Sequence, residues 1–477
     1  MNSTLVQPGQ FEPVDHWYAK ALNATIHPMI SFFLHLHQER IIKRYCHLHP
    51  MVKPDVLRAW LNHKPKHFIW AGADLMHVTN ERGKRQMVVI ENNSCPSGQK
   101  SMPLLDDNQE QGGYKTLMER TIKPLLKSKR TIKGALAVIY DKNPMEALGY
   151  ARAMADIFKE PVHFVSFYKD EPDPPVRIKE GVVYVKGEDG EWHKIRAAFR
   201  YLTQSPWNRL PIQSRTLIFN PIVACLAGGR NKMLASKAYD IFNSQLEGSG
   251  LEILTPETIW DVSREQVPIW VRSLGGQAVV KNPYSNAGQG VFTIVNEQEL
   301  EDFMNMEFYY ERFIVQSLIG NYNWSSTSPK GRLYHIGTVP SSKGNTYVAD
   351  IRMMVSYTPD GIRPMSIYAR RAAKPLADHI EGGTNSWEML GTNLSVKEDD
   401  NKWGSDTNRL MLMDRRDFNK LGVGLDDLVD AYIQTVLSMV AIDKMASTLF
   451  NTKNKFRRRL FQSLDDDKAL VDEILIQ

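Results

Sequence analysis

Residues 67–93 (HFIWAGADLMHVTNERGKRQMVVIENN) are typical of a β-hairpin, with two apolar runs joined by a polar turn that contains a glycine. Asp74 lies in the first run, and Glu91 and Asn93 lie two residues apart at the end of the second. Because side chains alternate between the faces of a strand, Glu91 and Asn93 share one face and Asn92 occupies the other. Oxygen ligands on adjacent strands suit Mg²⁺. A magnesium site is therefore one interpretation, and a plain hairpin ending in a polar turn is the other.

A second polar pattern lies almost two hundred residues later, in residues 277–295 (QAVVKNPYSNAGQGVFTIV). Lys281 ends an apolar strand, so its ammonium can reach anionic oxygen while its stem stays packed. Glycines in the following loop permit backbone conformations in which N–H groups face a phosphate. The predicted phosphate-binding residues of the loop are Ser285, Asn286, Ala287, Gly288, Gln289 and Gly290. An ordinary turn explains this segment alone, and it matches neither a P-loop nor a dinucleotide fingerprint.

The composition is that of an ordinary globular protein, with 42% hydrophobic and 24% charged residues in 477 and a formal net charge of +5. This length predicts two to four domains. Three cysteines (Cys46, Cys95 and Cys225) are too few for a disulfide scaffold and show no metal-site spacing. We find no signal-peptide pattern and no apolar run of about 20 residues. These features predict a cytoplasmic protein without nucleic acid or membrane partners, and the mild positive charge favours anionic ligands such as nucleotides.

The order of predicted elements indicates an α/β (α+β) fold. A strand at 131–140, a helix at 144–158 and a strand at 161–168 make a βαβ unit, and a hairpin-like stretch follows. Two long strand candidates follow much later, at 346–357 and 362–373. Residues 381–410 have no regular pattern and are predicted to be loop-like.

Taken in order, these motifs resemble the ATP-grasp superfamily. The series is Lys232 near a helix start, then Lys281 and its glycine loop, then an apolar strand that runs into the segment 316–319. The resemblance implies that the two lysines contact phosphate and adenine and that the loop covers the phosphates. It also implies that the hinge backbone reads the adenine edge, through Gln316, Ser317, Leu318 and Ile319. The family usually has a glutamate at the position of Ser317.

The acidic hairpin precedes the nucleotide loop, which resembles the circularly permuted ATP-grasp families that include glutathionylspermidine-synthase-like proteins. In unpermuted relatives the long helix predicted at 424–450 runs directly into the first metal-bearing strand, so permutation implies that the two lie side by side. The implied organisation is an N-terminal helical segment (1–65), a metal-bearing half-core (66–128), an inserted α/β domain (129–230), an ATP-binding lid (231–325), a second half-core (326–450) and a C-terminal helical tail (451–477).

The resemblance implies a ligase that uses ATP to activate a carboxylate as an acyl phosphate and joins it to an amine. Two Mg²⁺ ions would be held by Asp74, Glu91 and Asn93, and Arg352 and Arg370 would stabilise the transferred phosphoryl group. The acid is expected to be a small molecule of the amino acid or peptide type. A small-molecule kinase and a non-catalytic nucleotide-binding protein of the same fold are the alternatives, and surface ion pairs are the alternative role for the arginines. Oligomeric state is not specified by the sequence.

Overall fold

We describe a computed structural model of the chain, which covers residues 3–106, 108–169, 171–203, 206–285, 288, 290–380, 385–399 and 402–475. The strands in chain order are β1 (Thr4–Val6), β2 (Trp70–Asn80), β3 (Arg85–Asn93), β4 (Ala135–Tyr140), β5 (Val162–Ser166), β6 (Val176–Lys179), β7 (Val182–Lys186), β8 (Trp192–Tyr201), β9 (Leu217–Phe219), β10 (Thr258–Ser263), β11 (Ala278–Lys281), β12 (Val291–Ile294), β13 (Arg312–Ser317), β14 (Leu333–His335), β15 (Thr338–Pro340), β16 (Thr346–Thr358), β17 (Gly361–Arg371), β18 (Ser395–Asp399), β19 (Lys402–Ser405) and β20 (Leu410–Met411).

The α-helices in chain order are α1 (Ala19–Leu22), α2 (Pro28–His35), α3 (Gln38–Leu48), α4 (Pro54–Leu61), α5 (Gly112–Leu117), α6 (Lys123–Ser128), α7 (Pro144–Phe158), α8 (Ile222–Ala224), α9 (Lys232–Leu246), α10 (Val267–Ser273), α11 (Glu297–Asn305), α12 (Ser386–Leu390), α13 (Arg415–Phe418), α14 (Leu425–Thr448), α15 (Arg458–Leu464) and α16 (Lys468–Leu475). No helix in the described part of the chain is both long enough and apolar enough to cross a membrane.

The central sheet combines strands from distant parts of the sequence, in the order β14-β2-β16-β17-β20, with β3 on β2 and β15 on β16. The predicted hairpin β2–β3 and the later hairpin β16–β17 are both present, and β2 pairs antiparallel with β16. Helix α14 packs on this sheet. The carboxylate of Asp443 in α14 accepts hydrogen bonds from the backbone N–H groups of Lys66, His67 and Phe68, just before β2. The predicted proximity of the long helix to this strand is therefore observed.

A second sheet has the order β1-β5-β4-β8-β7-β6, with β9 beside β8. Strand β4 lies parallel to both β5 and β8, and α7 connects β4 to β5, which confirms the predicted βαβ unit. Strand β1 pairs antiparallel with β5. The prediction that residues 1–65 are wholly helical is therefore wrong at its start, because these three residues satisfy the open edge of this sheet, a contact that local periodicity cannot reveal.

A small antiparallel sheet, β10-β13-β11-β12, carries the predicted lysine strand β11 and glycine-loop strand β12. Its apolar face packs on helices through a cluster that contains Val280, Phe303 and Phe313. Beyond it, the predicted loop at 381–410 is wrong in part. The described residues of that stretch include α12, the β18–β19 hairpin and β20, which pairs with β17.

Candidate functional site

A cleft of about 790 Å³, open to solvent at its mouth, separates the small sheet from the central sheet. It is lined by residues from the acidic hairpin, the lysine strand, the glycine loop, the hinge and the β16–β17 hairpin. The predicted site residues along it are Asp74, Glu91, Lys281, Gly288, Gln316, Ser317, Leu318, Ile319 and Arg370. The early hairpin and the late glycine loop, although distant in sequence, therefore face one common cavity.

Lys281 joins the two sheets across this cleft. Its ammonium donates to the carbonyl oxygen of Ile90 at 3.1 Å. Ile90 is the extra residue of a β-bulge, because the pairing of β2 with β3 passes from Glu91 directly to Val89. Burial lowers the pKa of Lys281 to about 8, with Glu91 opposing the shift and Lys232 adding to it. Lys281 is thus a buried cation held at the end of the acidic hairpin.

Lys232 is the second predicted lysine and begins α9, which Asn231 caps through its side chain. Its ammonium donates to the carbonyl oxygen of Ser285 at 2.8 Å and lies 3.7 Å from the Glu91 carboxylate. Burial lowers its pKa, and Glu91 opposes that shift. Lys232 and Lys281 therefore both lie beside Glu91, and a nucleotide phosphate there would meet two ammonium groups.

The acidic hairpin presents its polar residues as the alternation predicts. Asp74 lies directly across from Glu91 in the β2–β3 pairing. Asn92 points to the opposite face, where its amide donates to Tyr239 Oη at 3.2 Å and to Ser438 Oγ at 2.7 Å. Asn93 is buried, and its amide nitrogen has no partner within the described residues.

Four buried charged residues form one network on the floor of the cleft. Arg352 donates to both carboxylate oxygens of Asp74, at 2.5 and 2.6 Å. Arg370 lies 2.9 Å from Asp74 and also donates to both oxygens of Asp350. Burial alone would raise the pKa of Asp74, but the two guanidinium groups outweigh it and hold that pKa well below its usual range. These arginines are not surface ion pairs, because all four side chains are nearly inaccessible to solvent.

The residues of the predicted magnesium site fit the ion unequally. Among the described residues, the Glu91 carboxylate has no hydrogen-bond donor closer than Lys232. The unpartnered side-chain atom of Asn93 is the amide nitrogen, which donates hydrogen bonds and does not bind a cation. Both oxygens of Asp74 accept from arginine. Across the described ranges, no three His, Cys, Asp or Glu side chains are grouped to hold a metal ion. Glu91 therefore suits magnesium, whereas Asp74 would first have to give up a guanidinium hydrogen bond.

The glycine loop closes one side of the cleft. Gly288 has φ +76°, and a side-chain carbon there would lie 3.0 Å from Trp387 Cζ2, so both conformation and space favour glycine. Gly290 also has a positive φ of +70°. The Ser285 hydroxyl donates to the carbonyl oxygen of Asn282 at 3.1 Å. The remaining predicted loop residues, Asn286, Ala287 and Gln289, lie outside the described residues.

The predicted hinge follows β13, and part of its backbone is already bonded. The N–H of Ser317 donates to the carbonyl oxygen of Glu257, and the N–H of Leu318 donates to Ser326 Oγ at 2.6 Å. The Gln316 amide donates to Thr258 Oγ1. Of these residues, only Ile319 has a backbone N–H without a partner in the described chain, so an adenine edge would find its free donor at the end of the hinge.

Several cleft residues were not singled out by the sequence. Met76, Ile90, Trp387 and Leu390 supply apolar walls suited to a planar base. Burial lowers the pKa of His335, which also lines the cleft, to about 4, so this imidazole is neutral at pH 7. Only Met76 carried a usable signal, because it lies two residues from Asp74 and so on the same face of β2, whereas the position of Ile90 depends on the β-bulge.

Arg200 and the turn at 96–98 make their polar contacts within the chain itself. Arg200 is fully buried and donates to the carbonyl oxygens of Asn220 and Leu202 and to Ser94 Oγ. The N–H groups of residues 98 and 99 donate to the Glu146 carboxylate.

Comparisons with known proteins give matches at the level of structure only, since no family model and no curated protein matches the chain. Its structural neighbours include ATP-grasp proteins. The RimK domain protein ATP-grasp from Sphaerobacter thermophilus shares 12% identity at a TM-score of 0.28, over 49% of this chain and 90% of that chain. A glutathione synthetase-like effector from Globodera pallida in its apoform shares 9% identity at a TM-score of 0.36, over 72% of this chain and 81% of that chain. D-alanyl-alanine synthetase A from Vibrio cholerae O1 shares 11% identity at a TM-score of 0.31, over 49% of this chain and 88% of that chain. At these TM-scores the likeness carries no argument about mechanism.

Proposed function

We propose that this protein is an ATP-dependent ligase that joins a carboxylate to an amine, with a circularly permuted arrangement of the ATP-grasp elements. One observation carries the proposal: Glu91 of the early hairpin and Lys281 of the late glycine-loop strand line the same cleft, with Lys232 between them and the loop. Cations, a glycine loop and a carboxylate around one cavity are what a triphosphate with its metal ion requires.

In this proposal the adenine lies between the apolar residues Met76 and Leu390 and meets the hinge at Ile319. Lys232, Lys281 and the loop 285–290 orient the phosphates. Magnesium held by Glu91 and Asn93, with Asp74 as a further ligand, would neutralise phosphate charge when bound.

Arg352 and Arg370 both contact the carboxylate of Asp74. Their guanidinium groups are oriented by Asp74 and Asp350, so they are preorganised to stabilise negative charge that develops on a transferred phosphoryl group and on the resulting acyl phosphate. An amine then displaces phosphate. The protein contributes position and electrostatics, and no side chain needs to act as a nucleophile.

The test combines nucleotide binding with product analysis. Isothermal titration with Mg²⁺ and a non-hydrolysable ATP analogue should show binding to the wild type, weakened at least tenfold in Lys281→Ala, because a charge-assisted hydrogen bond contributes about 1.5–3 kcal/mol. A screen of amino acid and amine pairs should then release ADP and phosphate in equal amounts with an amide.

Glu91→Ala should abolish that turnover, and Glu81→Ala, an exposed acid at the turn of the same hairpin, is the matched control that should not. Turnover that persists undiminished in Glu91→Ala would refute the metal assignment. A phosphorylated product without free phosphate would identify a kinase, and absence of nucleotide binding would reject the whole proposal.

A further inference from the structure

Three cationic side chains collect beside the proposed active site without serving the nucleotide. Arg230 precedes α9, Lys142 lies in the loop between β4 and α7, and Lys100 follows the end of β3. Arg230 and Lys100 are only 7% and 6% exposed, and Lys142 is half-buried. The three residues come from three separate elements, so their proximity results from the tertiary fold.

The segment 94–101 connects these elements. At its start, the N–H of Ser94 donates to the carbonyl oxygen of Gly229 at 2.8 Å, next to Arg230. At its end, the Lys100 ammonium donates to Asn143 Oδ1 at 3.3 Å, next to Lys142. Burial lowers the pKa of Lys142 to about 8, and the charges of Arg230 and Lys100 contribute to that shift, as expected for neighbouring cations.

These cations lack the anions that buried charges normally require. Among the residues that the structure describes, none of the three forms an ion pair, and the Nε of Arg230 has no hydrogen-bond partner. The nearby carboxylates are already engaged. Asp141 pairs with Arg209 at 2.5 Å, and Glu146 accepts from the segment 97–99. Burying unpaired positive charge is unfavourable, so a bound anion would relieve the cost.

The position of the cluster defines which anion it can serve. Arg230 is two residues from Lys232, whose ammonium lies 3.7 Å from the Glu91 carboxylate, so the cluster adjoins the proposed phosphate site at its Arg230 end.

We propose that Lys100, Lys142 and Arg230 form a second anion-binding subsite, so that the acid substrate carries a further carboxylate or phosphate besides the carboxylate that is activated. This inference rests on the proposed ligase function, which it deepens by specifying the substrate as a dianionic or more highly charged acid. The additional group would be held by charge-assisted hydrogen bonds and would not react.

The experiment compares three small acids by isothermal titration, with and without saturating Mg²⁺ and ADP. Glutarate and phosphonoacetate each carry a second anionic group, and butyrate does not. We expect glutarate or phosphonoacetate to bind the wild type at least tenfold more tightly than butyrate does. Arg230→Gln and Lys142→Gln should reduce this preference to less than threefold, and Arg230→Lys should retain most of it.

Lys343→Gln removes one exposed positive charge and serves as the control with unchanged preference. Circular dichroism checks folding, and if Arg230→Gln does not fold, the half-buried Lys142 decides the question through Lys142→Gln. Equal affinity for all three acids in the wild type would overturn the inference, as would a preference that persists in Lys142→Gln. If ADP fails to bind, the ligase proposal is lost, yet the nucleotide-free titrations still decide whether the subsite exists.

Discussion

Replacing Lys281 by methionine should make the nucleotide-free protein more stable while it weakens nucleotide binding at least tenfold. The pKa of Lys281 is about 8, against an ordinary value near 10.5, chiefly because the ammonium is buried. Each pKa unit corresponds to about 1.4 kcal/mol, so keeping this ammonium charged at pH 7 costs the folded state roughly 3 kcal/mol. Loss of the hydrogen bond to Ile90 destabilises the variant by about 1 kcal/mol, so the net stabilisation by Lys281→Met is near 2 kcal/mol.

The pH dependence has a definite sign. Between pH 8 and about 10.5 the unfolded chain binds more protons at Lys281 than the folded protein does, so stability conferred through this residue increases as the pH rises through that interval. The destabilisation by the buried Lys281 ammonium is fully present below pH 8 and decreases as the pH rises above 8. The stability advantage of Lys281→Met should therefore be largest near pH 7 and should shrink as the pH approaches 10.

Thermal unfolding measured from pH 7 to pH 10 tests this reasoning. An unfolding entropy of about 2.1 cal/mol/K per residue over the whole chain converts 2 kcal/mol to a rise of about 2 °C in Tm. The exposed Lys343→Met is the matched control and should show no pH-dependent difference. With Mg²⁺ and ATP at one hundred times the wild-type Kd, the wild type should gain about 2.7 kcal/mol and the variant at most about 1.4 kcal/mol. A variant that melts below the wild type at pH 7, or a difference that is constant with pH, would refute the argument.

Three further predictions concern the walls of the cleft. Gly288→Val should weaken nucleotide affinity about tenfold by titration calorimetry, because a branched residue resists the positive φ and meets Trp387; unchanged affinity would contradict this. Arg370→Met should lower the free energy of unfolding in urea by about 3–5 kcal/mol, because it leaves the buried Asp350 carboxylate without this partner. The double variant Arg370→Met/Asp350→Leu should lower it by much less, because that carboxylate is removed as well. Asn92→Ala removes two hydrogen bonds, so it should lower the free energy of unfolding by about 2 kcal/mol while nucleotide affinity stays within twofold. A large loss of affinity would assign Asn92 to the site.

The fold was predictable where a pattern is local. The alternation that puts Glu91 and Asn93 on one face, the strand that ends at Lys281 and the amphipathic helix α14 all follow from periodicity within one element. The short strand β1 and the elements between residues 385 and 411 were missed, because they are held by partners from other parts of the chain and have little pattern of their own.

The sequence by itself determined which residue types meet at the ends of which strands, and hence the acidic hairpin and the lysine and glycine-loop pair. Only the tertiary structure decided that Arg352 bonds Asp74 across 278 positions of sequence and that Trp387 lies against Gly288 of the loop. It also decided that Arg200 is internal, whereas the Nε of Arg230 has no partner among the described residues. The physical reason is that periodicity specifies which face of an element is polar. Which faces then meet depends on how all the apolar faces are buried together, and that is a property of the whole chain.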